Sequence, residues 1–305
     1  MGDPVNDLDR RHFVVGSAGA VLAAGALGCR RSGPGEPEVK PAVRGPANPK
    51  LVRVASVPTA VEGNVLPVLI REFEEHTAYQ IELTANVALY DAARAGKVDL
   101  AISHYGHKHA EEFVVDGLGE WPRTIFSNRL ALIGPRSDPA GLRGIDDAGE
   151  AFRRIAAGKH PYVVNELEGT RYVTEILWHL AGHPDRGAWL RSHERDDALI
   201  FAARTGAYVL WGLTPFLRTR KREGLALDAF ALGDPLFQRL MVAIVVKPTI
   251  DGINVEGARA FQRFLLEPAS QARMRTIEYS PEEKLAAWVP AGRHNRIAIL
   301  PGTGD

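Results

Sequence analysis

The stretch LVRVASVPTAVEGNVLPVLIREFEEHTAYQIELTA, residues 51–85, decides the fold class. Its start, LVRVASV, is a short apolar run, and its end, QIELTA, alternates apolar and polar residues, so both ends are typical of strands. Between them apolar residues recur at the spacing of one helix face: Val65, Leu66, Leu69, Ile70 and Phe73. The stretch therefore predicts a strand, a helix and a second strand, the unit from which parallel sheets are built.

The same alternation continues along the chain. VDLAIS, RLALIGP, PYVVN, AYVLWG and LMVAIVVKP are strand-like, and the segments between them have helical periodicity. This pattern predicts an α/β fold with two lobes, each a mostly parallel sheet flanked by helices. We expect residues 51–135 and 235–305 to form lobe 1 and residues 136–234 to form lobe 2. A ligand site would then lie at the carboxyl ends of the strands, facing the cleft between the lobes.

The N-terminus has the features of an export signal. Arg10 and Arg11 precede an apolar run, rich in small residues, that ends at Cys29. The arginine pair resembles a twin-arginine signal, and ALGC resembles a lipobox, so residues 1–29 are interpreted as an export signal with lipidation at Cys29. Plain export with a bystander cysteine, or an uncleaved anchor, is the alternative. Residues 30–50 are rich in Pro and Gly and predict a linker, which gives an extracytoplasmic, lipid-anchored protein.

Composition excludes several classes of function. The chain has 305 residues, of which 45% are hydrophobic, and Lys plus Arg equals Asp plus Glu at 37 each. This balance gives no reason to expect nucleic acid as a partner. A single cysteine rules out an intrachain disulfide. The sequence contains no P-loop, no His-Glu-x-x-His and no nucleophile-elbow glycine pattern, so we expect neither an enzyme nor a cofactor.

Several segments in sequence order resemble a known family. They include SVPTAVEGNVLPVLIREFEEHT, GKVDLAISH, SDPAGLRG, EGTRYVTE and GDPLFQRLMVAIVVKP, and the resemblance runs from about Leu51 to Ile277. These segments resemble the tungstate-binding subunits of ABC transporters, which are type II periplasmic solute-binding proteins. The resemblance implies a monomer that binds a small oxyanion such as tungstate or molybdate between its lobes, without catalysis. Its partners would be the permease and ATPase subunits of a transporter and, through the lipid anchor, the membrane.

The resemblance also implies a set of binding residues. Ser56 and Thr59 match the hydroxyl-rich loop after the first strand, and Asn86 lies in the loop after the second. Asn165 stands where the family has an arginine, and Gly212-Leu213 replaces an Asp-Arg pair. Because a dianion needs several donors or cations to offset its desolvation, two interpretations stay open. Either Arg171 and the histidines replace the missing groups, or the chain binds or senses a different small ligand, for which Trp211 and Phe216 could line a less polar site.

Two helix starts are further candidates. Glu62-Gly63 and Thr170-Arg171 follow strands, so we expect both pairs to open helices whose N–H groups face the cleft. The glycines at 63 and 169 would let a ligand approach the backbone closely. Ordinary capping by Thr170 is the alternative.

The segment SHYGHKH, residues 103–109, holds three histidines. Ser103 and His104 end a buried strand, so we expect them at the cleft. A metal site formed by His104 and His107 is an alternative, although a closed site needs three or four ligands. We interpret the segment as a cleft loop in which His104 donates to the anion, so affinity should rise as pH falls through about 6.5.

Overall fold

The computed structural model describes residues 43–106, 108–231, 233–279 and 287–290. Arg10, Arg11, Cys29, most of the linker and His107 lie outside the described residues, as do residues 291–305 of the predicted lobe 1. Among the helices of the described part, none is long and apolar enough to cross a membrane.

The first half of the fold repeats a strand and one or two helices. Its elements are β1 (Leu51–Ser56), α1 (Pro58–Glu62), α2 (Val65–His76), β2 (Gln80–Ala85), α3 (Leu89–Arg94), β3 (Leu100–His104) and α4 (Lys108–Val115). The five apolar residues predicted to form one face of α2 are all buried. The predicted strand-helix-strand unit is therefore confirmed.

The second half begins with a long strand. Its elements are β4 (Arg123–Pro135), α5 (Ala148–Ala157), β5 (Tyr162–Asn165), α6 (Glu168–Leu180), β6 (Leu190–His193), α7 (Arg195–Thr205), β7 (Tyr208–Gly212), α8 (Leu213–Glu223), β8 (Leu227–Phe230), β9 (Gln238–Val245), α9 (Val255–Leu266), α10 (Pro268–Met274) and β10 (Val289–Pro290). A short 3₁₀ turn, Pro235–Phe237, precedes β9.

Several elements were not predicted. Helix α1 has five residues and follows β1 almost directly, because Pro58 at its start already has a helical φ. Strands β6 and β8 have four residues each and carry no continuous apolar run. Short elements of this kind are stabilised by their neighbours in the sheet, so their own sequences do not reveal them.

The described strands form one mixed sheet in the order β2-β1-β3-β9-β4-β7-β5-β6. Strands β1, β2 and β3 are parallel to one another, and so are β5, β6 and β7. Strand β9 is antiparallel to β3, and β4 is antiparallel to β9, β7 and β8. The predicted α/β fold class is confirmed, but the sheet is mixed rather than mostly parallel because β4 and β9 join the two parallel groups.

Strand β4 connects the two groups by changing its partner. Residues from Arg123 to Arg129 pair with β9, and residues from Leu130 onward pair with β7. The apolar core divides into a larger cluster, which includes α2, α9 and the interior of β1 and β3, and a smaller one around Phe152. The larger cluster also takes in side chains of α7 and β7. The lobe boundaries near residues 135 and 235 stay a prediction.

A buried carboxylate joins three segments at the beginning of the sheet. Asp99 is fully buried and accepts hydrogen bonds from the Arg53 backbone N–H at 2.7 Å, from the Arg53 guanidinium at 2.6 and 3.1 Å, and from the Asn254 N–H at 2.9 Å. The Asn254 side chain in turn donates to the carbonyls of Pro49 and Leu51. One carboxylate thus holds together β1, the start of β3 and the start of α9.

We expect Asp99→Ala to lower the free energy of unfolding by on the order of 3 kcal/mol, because it leaves a largely buried guanidinium without its partner. Equilibrium urea unfolding measures this change. The control is Glu72→Ala, which removes the exposed ion pair with Arg273 and should cost less than about 1 kcal/mol. Equal losses in the two variants would contradict a special role for Asp99.

Candidate functional site

The parallel strands of the first half end at the place where β4 changes partner. At the carboxyl end of β3, His104 lies opposite Met241, and the next backbone N–H, of Tyr105, donates to Leu240 O at 2.9 Å. Strand β1 ends beside β3, since Val57 N donates to Ile102 O at 3.1 Å. Both strand ends therefore point toward the first residues of β9, Gln238 and Arg239.

The parallel strands of the second half end at the same place. Gly212, the last residue of β7, lies opposite Leu130 of β4, directly after Arg129. Strand β5 runs parallel to β7 with Val163 opposite Val209, so Asn165 ends at a similar level. The carboxyl ends of both parallel groups thus meet around Ser127–Arg129 and Gln238–Arg239, which we call the crossing segment. Ligands of open α/β sheets bind at such a meeting of strand ends.

The crossing segment is polar although it is largely buried. Ser127 is fully buried and Asn128 is 4% exposed, yet Ser127 Oγ, Asn128 Oδ1 and Gln238 Nε2 have no hydrogen-bond partner within the described structure. Burial lowers the pKa of both guanidinium groups, Arg129 and Arg239, below the usual range. Buried polar atoms are normally hydrogen-bonded, so this concentration of unpaired ones marks a candidate site.

Arg239 reaches the first turn of α6. Its Nη1 donates to Gly169 O over 3.4 Å, and a Cβ at Gly169 would lie 2.8 Å from Nη1 and 3.0 Å from Nη2. Gly169 therefore makes room for a side chain of the same protein. The sequence predicted that Gly169 would let a ligand approach the backbone closely. In the structure the Arg239 guanidinium occupies part of that space.

The predicted helix start at Glu62-Gly63 is wrong. Gly63 ends α1 rather than opening a helix, because the five-residue helix α1 comes first. Trp288 Nε1 donates to Gly63 O at 2.7 Å, and a Cβ at Gly63 would lie 2.6 Å from the Trp288 ring. Glu62 forms an ion pair with Arg218 of α8. Gly63 thus accommodates a buried indole.

The hydroxyl residues of the first two loops lie at strand ends. Ser56 is fully buried, and its hydroxyl donates to Val57 O at 3.2 Å. Thr59 is half-buried in α1, and its hydroxyl makes no hydrogen bond to another described residue. Asn86 accepts the Ala88 N–H at 2.8 Å and so shapes the loop after β2. Their predicted contacts with a ligand stay predictions.

Ser103 and His104 end β3 as predicted. Ser103 is fully buried and shares a 2.7 Å hydrogen bond with Tyr90. Burial raises the pKa of Tyr90 to about 12, although the hydrogen bond to Ser103 by itself lowers it. His104 is half-buried at the end of the strand, beside the start of β9. The structure thus brings His104 to the neighbourhood of the crossing segment, whereas Ser103 is engaged with Tyr90.

Asn165 holds two loops together. It is fully buried, its Oδ1 accepts the N–H groups of Leu167 and Arg195 at 3.1 Å each, and its Nδ2 donates to Arg195 O at 3.2 Å. These bonds link the loop after β5 to the start of α7. They give Asn165 a structural role independent of any ligand.

The prediction that Thr170 and Arg171 open a helix is wrong by two residues. Helix α6 begins at Glu168 with Leu167 as its N-cap, so Thr170 neither opens nor caps the helix. Its hydroxyl donates to Leu167 O at 2.7 Å. Arg171 is exposed, pairs with Glu166 at 3.5 Å and lines a groove of 680 Å³ beside the edge strand β6, together with Val164, Glu175, Arg186, Leu190, Arg191 and Ser192.

The alternatives of a metal site and of a less polar site have no further support among the described residues. No group of three or more His, Cys, Asp or Glu side chains within them could hold a metal ion, and His107 lies outside them. Trp211 is 8% exposed and Phe216 is fully buried, and both belong to the larger core cluster.

Sequence reasoning missed the crossing segment. Its signal was present, because Ser-Asn-Arg interrupts the apolar run TIFSNRLALIGP and Gln-Arg precedes the apolar run LMVAIVV. Polar residues inside a strand of this apolar character need partners. Only the pairing of β4 with β9 brings the two interruptions together.

The architecture is that of a type II periplasmic binding protein. The tungstate-binding protein TupA from Desulfovibrio alaskensis G20 superimposes with a TM-score of 0.66 at 22% identity, over 80% of this chain and 99% of that one. TupA of Peptoclostridium acidaminophilum is 27% identical over 282 residues, which cover 90% of this chain and 96% of that protein.

A third relative is described by the class of its ligand. A Haloferax volcanii protein described as an ABC transporter anion-binding protein is 27% identical over 227 residues, 72% of this chain and 66% of that protein, just under two thirds of its length. No protein-family model matches the chain. The resemblance that the sequence motifs indicated is confirmed by the names of these relatives.

We expect Asn165→Ala to lower the thermal unfolding midpoint without any ligand present, because the N–H groups of Leu167 and Arg195 lose their acceptor, at a cost of about 1–3 kcal/mol for the bonds together. Thermal unfolding followed by circular dichroism measures this change. The control is Asn86→Ala, which removes a single bond in an exposed loop and should change stability by about 0.5 kcal/mol. An unchanged midpoint for Asn165→Ala would show that its bonds do not stabilise the two loops.

Proposed function

We propose that the chain is the extracytoplasmic binding component of an ABC-type transporter and binds a small oxyanion, tungstate or molybdate among them. The observation that carries the proposal is the composition of the crossing segment. Its five residues, Ser127–Arg129 and Gln238–Arg239, include two guanidinium groups and no carboxylate. A site of this composition attracts anions, and guanidinium groups recognise tetrahedral oxyanions through paired hydrogen bonds.

The relatives support the same class of ligand. Two of them are named as tungstate-binding proteins and one as an anion-binding protein. Binding without chemical turnover is the proposed activity. Closure around the ligand requires contacts from both halves of the fold, and the strand ends of both halves meet at the crossing segment.

A binding protein or sensor for a different small ligand is the second candidate. It is favoured by Asn165, which stands where the family has an arginine and is engaged in backbone contacts. Arg171 lines a groove beside the edge strand β6 and pairs with Glu166, so it does not replace the arginine that the loop after β5 lacks.

A thermal-shift panel decides between the two candidates. We expect tungstate, molybdate or sulfate, at a concentration of about 100 times its Kd, to raise the free energy of unfolding by about 2.7 kcal/mol. Carboxylates and divalent metals should leave it unchanged. Stabilisation by zinc or iron alone would overturn the proposal.

If His104 donates to the anion, tungstate should bind more tightly at a pH of about 5.5 than at a pH of about 7.5. His104→Gln should abolish this difference.

We propose that the chain is exported and anchored to the membrane through a lipid on Cys29. Its partners there would be the permease and ATPase subunits of the transporter. Cys29→Ser should move the protein from the membrane fraction to the soluble extracytoplasmic fraction, because the lipid would have no attachment site. Changing both Arg10 and Arg11 to Lys should retain the precursor in the cytoplasm, since the signal is read by its arginine pair. Fractionation and immunoblotting measure both effects. Unchanged distributions would contradict the lipoprotein interpretation.

A further inference from the structure

We infer that Arg239 is the cationic anchor of the oxyanion and takes the place of the arginine that the loop after β5 lacks. The inference rests on the proposed function and specifies one residue of that site. Its basis is the position of a half-buried guanidinium between a strand of the crossing segment and the first turn of α6.

The backbone places Arg239 at the meeting of the strand ends. Arg239 is the second residue of β9, one residue before Leu240, whose carbonyl accepts the N–H at the end of β3. It lies opposite Asn128 of β4, two residues before Leu130, where the pairing of β4 with β7 begins. A side chain at this position can therefore reach the strand ends of both halves.

The guanidinium lies against the amino end of a thirteen-residue helix. Its Nη1 is 3.4 Å from Gly169 O, and Nη1 and Nη2 lie 2.8 and 3.0 Å from the position that a Cβ at residue 169 would occupy. The first backbone N–H groups of a helix have no intrahelical acceptor, and the helix dipole is positive there. A guanidinium beside a positive helix end is electrostatically unfavourable unless an anion lies between or beside them, so the arrangement requires a negative partner.

That negative partner is not a side chain of the described structure. Arg239 forms no ion pair with any described residue, and its one hydrogen bond there is the long one to Gly169 O. Burial lowers the pKa of its guanidinium, the direction expected for a cation that has no ion-pair partner among the described residues. A guanidinium has five donors in a planar fork, and most of them are available to a ligand.

A second, independent observation points to the same place. Asn128, the residue directly opposite Arg239, is 4% exposed and its Oδ1 has no partner among the described atoms. Residues directly opposite in a ladder project from the same face of the sheet. Rotation of the amide by half a turn presents its N–H₂ instead of its oxygen. Asn128 can therefore donate to the anion that Arg239 binds.

The ligand class follows from this donor set. The guanidinium fork of Arg239, the amide of Asn128 and the Gly169 N–H at the start of α6 are all hydrogen-bond donors. A dianion with several equivalent oxygens satisfies donors from several directions at once. We therefore assign the site to tetrahedral dianions, tungstate, molybdate and sulfate, rather than to planar or singly charged anions such as nitrate.

The test uses isothermal titration calorimetry with tungstate, molybdate, sulfate and nitrate on the unmodified chain and on Arg239→Gln. We expect Arg239→Gln to weaken dianion binding by about 10- to 100-fold, the effect of losing charge-assisted hydrogen bonds, with an unchanged unfolding midpoint in the absence of anion. The matched control is Arg204→Gln on the exposed end of α7, which removes the same charge and should change affinity by less than about twofold.

A second variant moves the guanidinium without removing its charge. Gly169→Ala places a methyl group 2.8 Å from the position of Nη1, and alanine stabilises a helix relative to glycine, so the fold is retained. We expect dianion binding about fivefold weaker or more, and no further loss when Gly169→Ala is added to Arg239→Gln, because contacting residues are not additive. This variant keeps the inference testable if Arg239→Gln does not fold.

The outcomes separate the inference from the proposed function. If the unmodified chain binds none of the oxyanions, the proposed function is wrong and the inference falls with it. If the unmodified chain binds dianions and Arg239→Gln binds them with an affinity within about threefold, only the inference is wrong. Independent, additive losses for Gly169→Ala and Arg239→Gln would also overturn the inference.

Discussion

The backbone of β4 is the constraint on which the rest of the structure depends. Buried N–H and C=O groups must be paired, and β4 meets this requirement with β9 along its first half and with β7 and β8 along its second. One continuous strand therefore serves both parallel groups. Because those groups are oriented by β4, their carboxyl ends meet where it changes partner, and the candidate site lies there for that reason.

The polar residues of this structure divide into two kinds. Asp99, Asn254 and Asn165 have their polar atoms engaged with the backbone of distant segments, and they hold loops and strand starts in position. Ser127, Asn128 and Gln238 each have a buried polar atom that is unpaired in the described structure. The difference matters because a buried unpaired group costs free energy, and proteins retain that cost where a ligand recovers it.

Glycines at two helix ends show how the protein uses the space of a missing side chain. Gly63 receives the ring of Trp288, which also packs against Phe126 and continues into the short strand β10 paired with β4. Gly169 receives the guanidinium of Arg239. Both glycines resemble ligand-approach positions in the sequence, yet each one accommodates a side chain from a segment far along the chain.

The sequence by itself determined the α/β class and most helices and strands, because periodic burial of apolar residues, as in α2, is a local property. Its motifs, in their order along the chain, carried the resemblance to oxyanion-binding proteins. It did not reveal α1 or β6, which depend on their neighbours. The structural role of Asn165 and the meeting of Asn128 with Arg239 were decided by the tertiary structure alone. These contacts join residues 30 and 111 positions apart, and only the pairing of distant strands brings such residues within hydrogen-bonding distance.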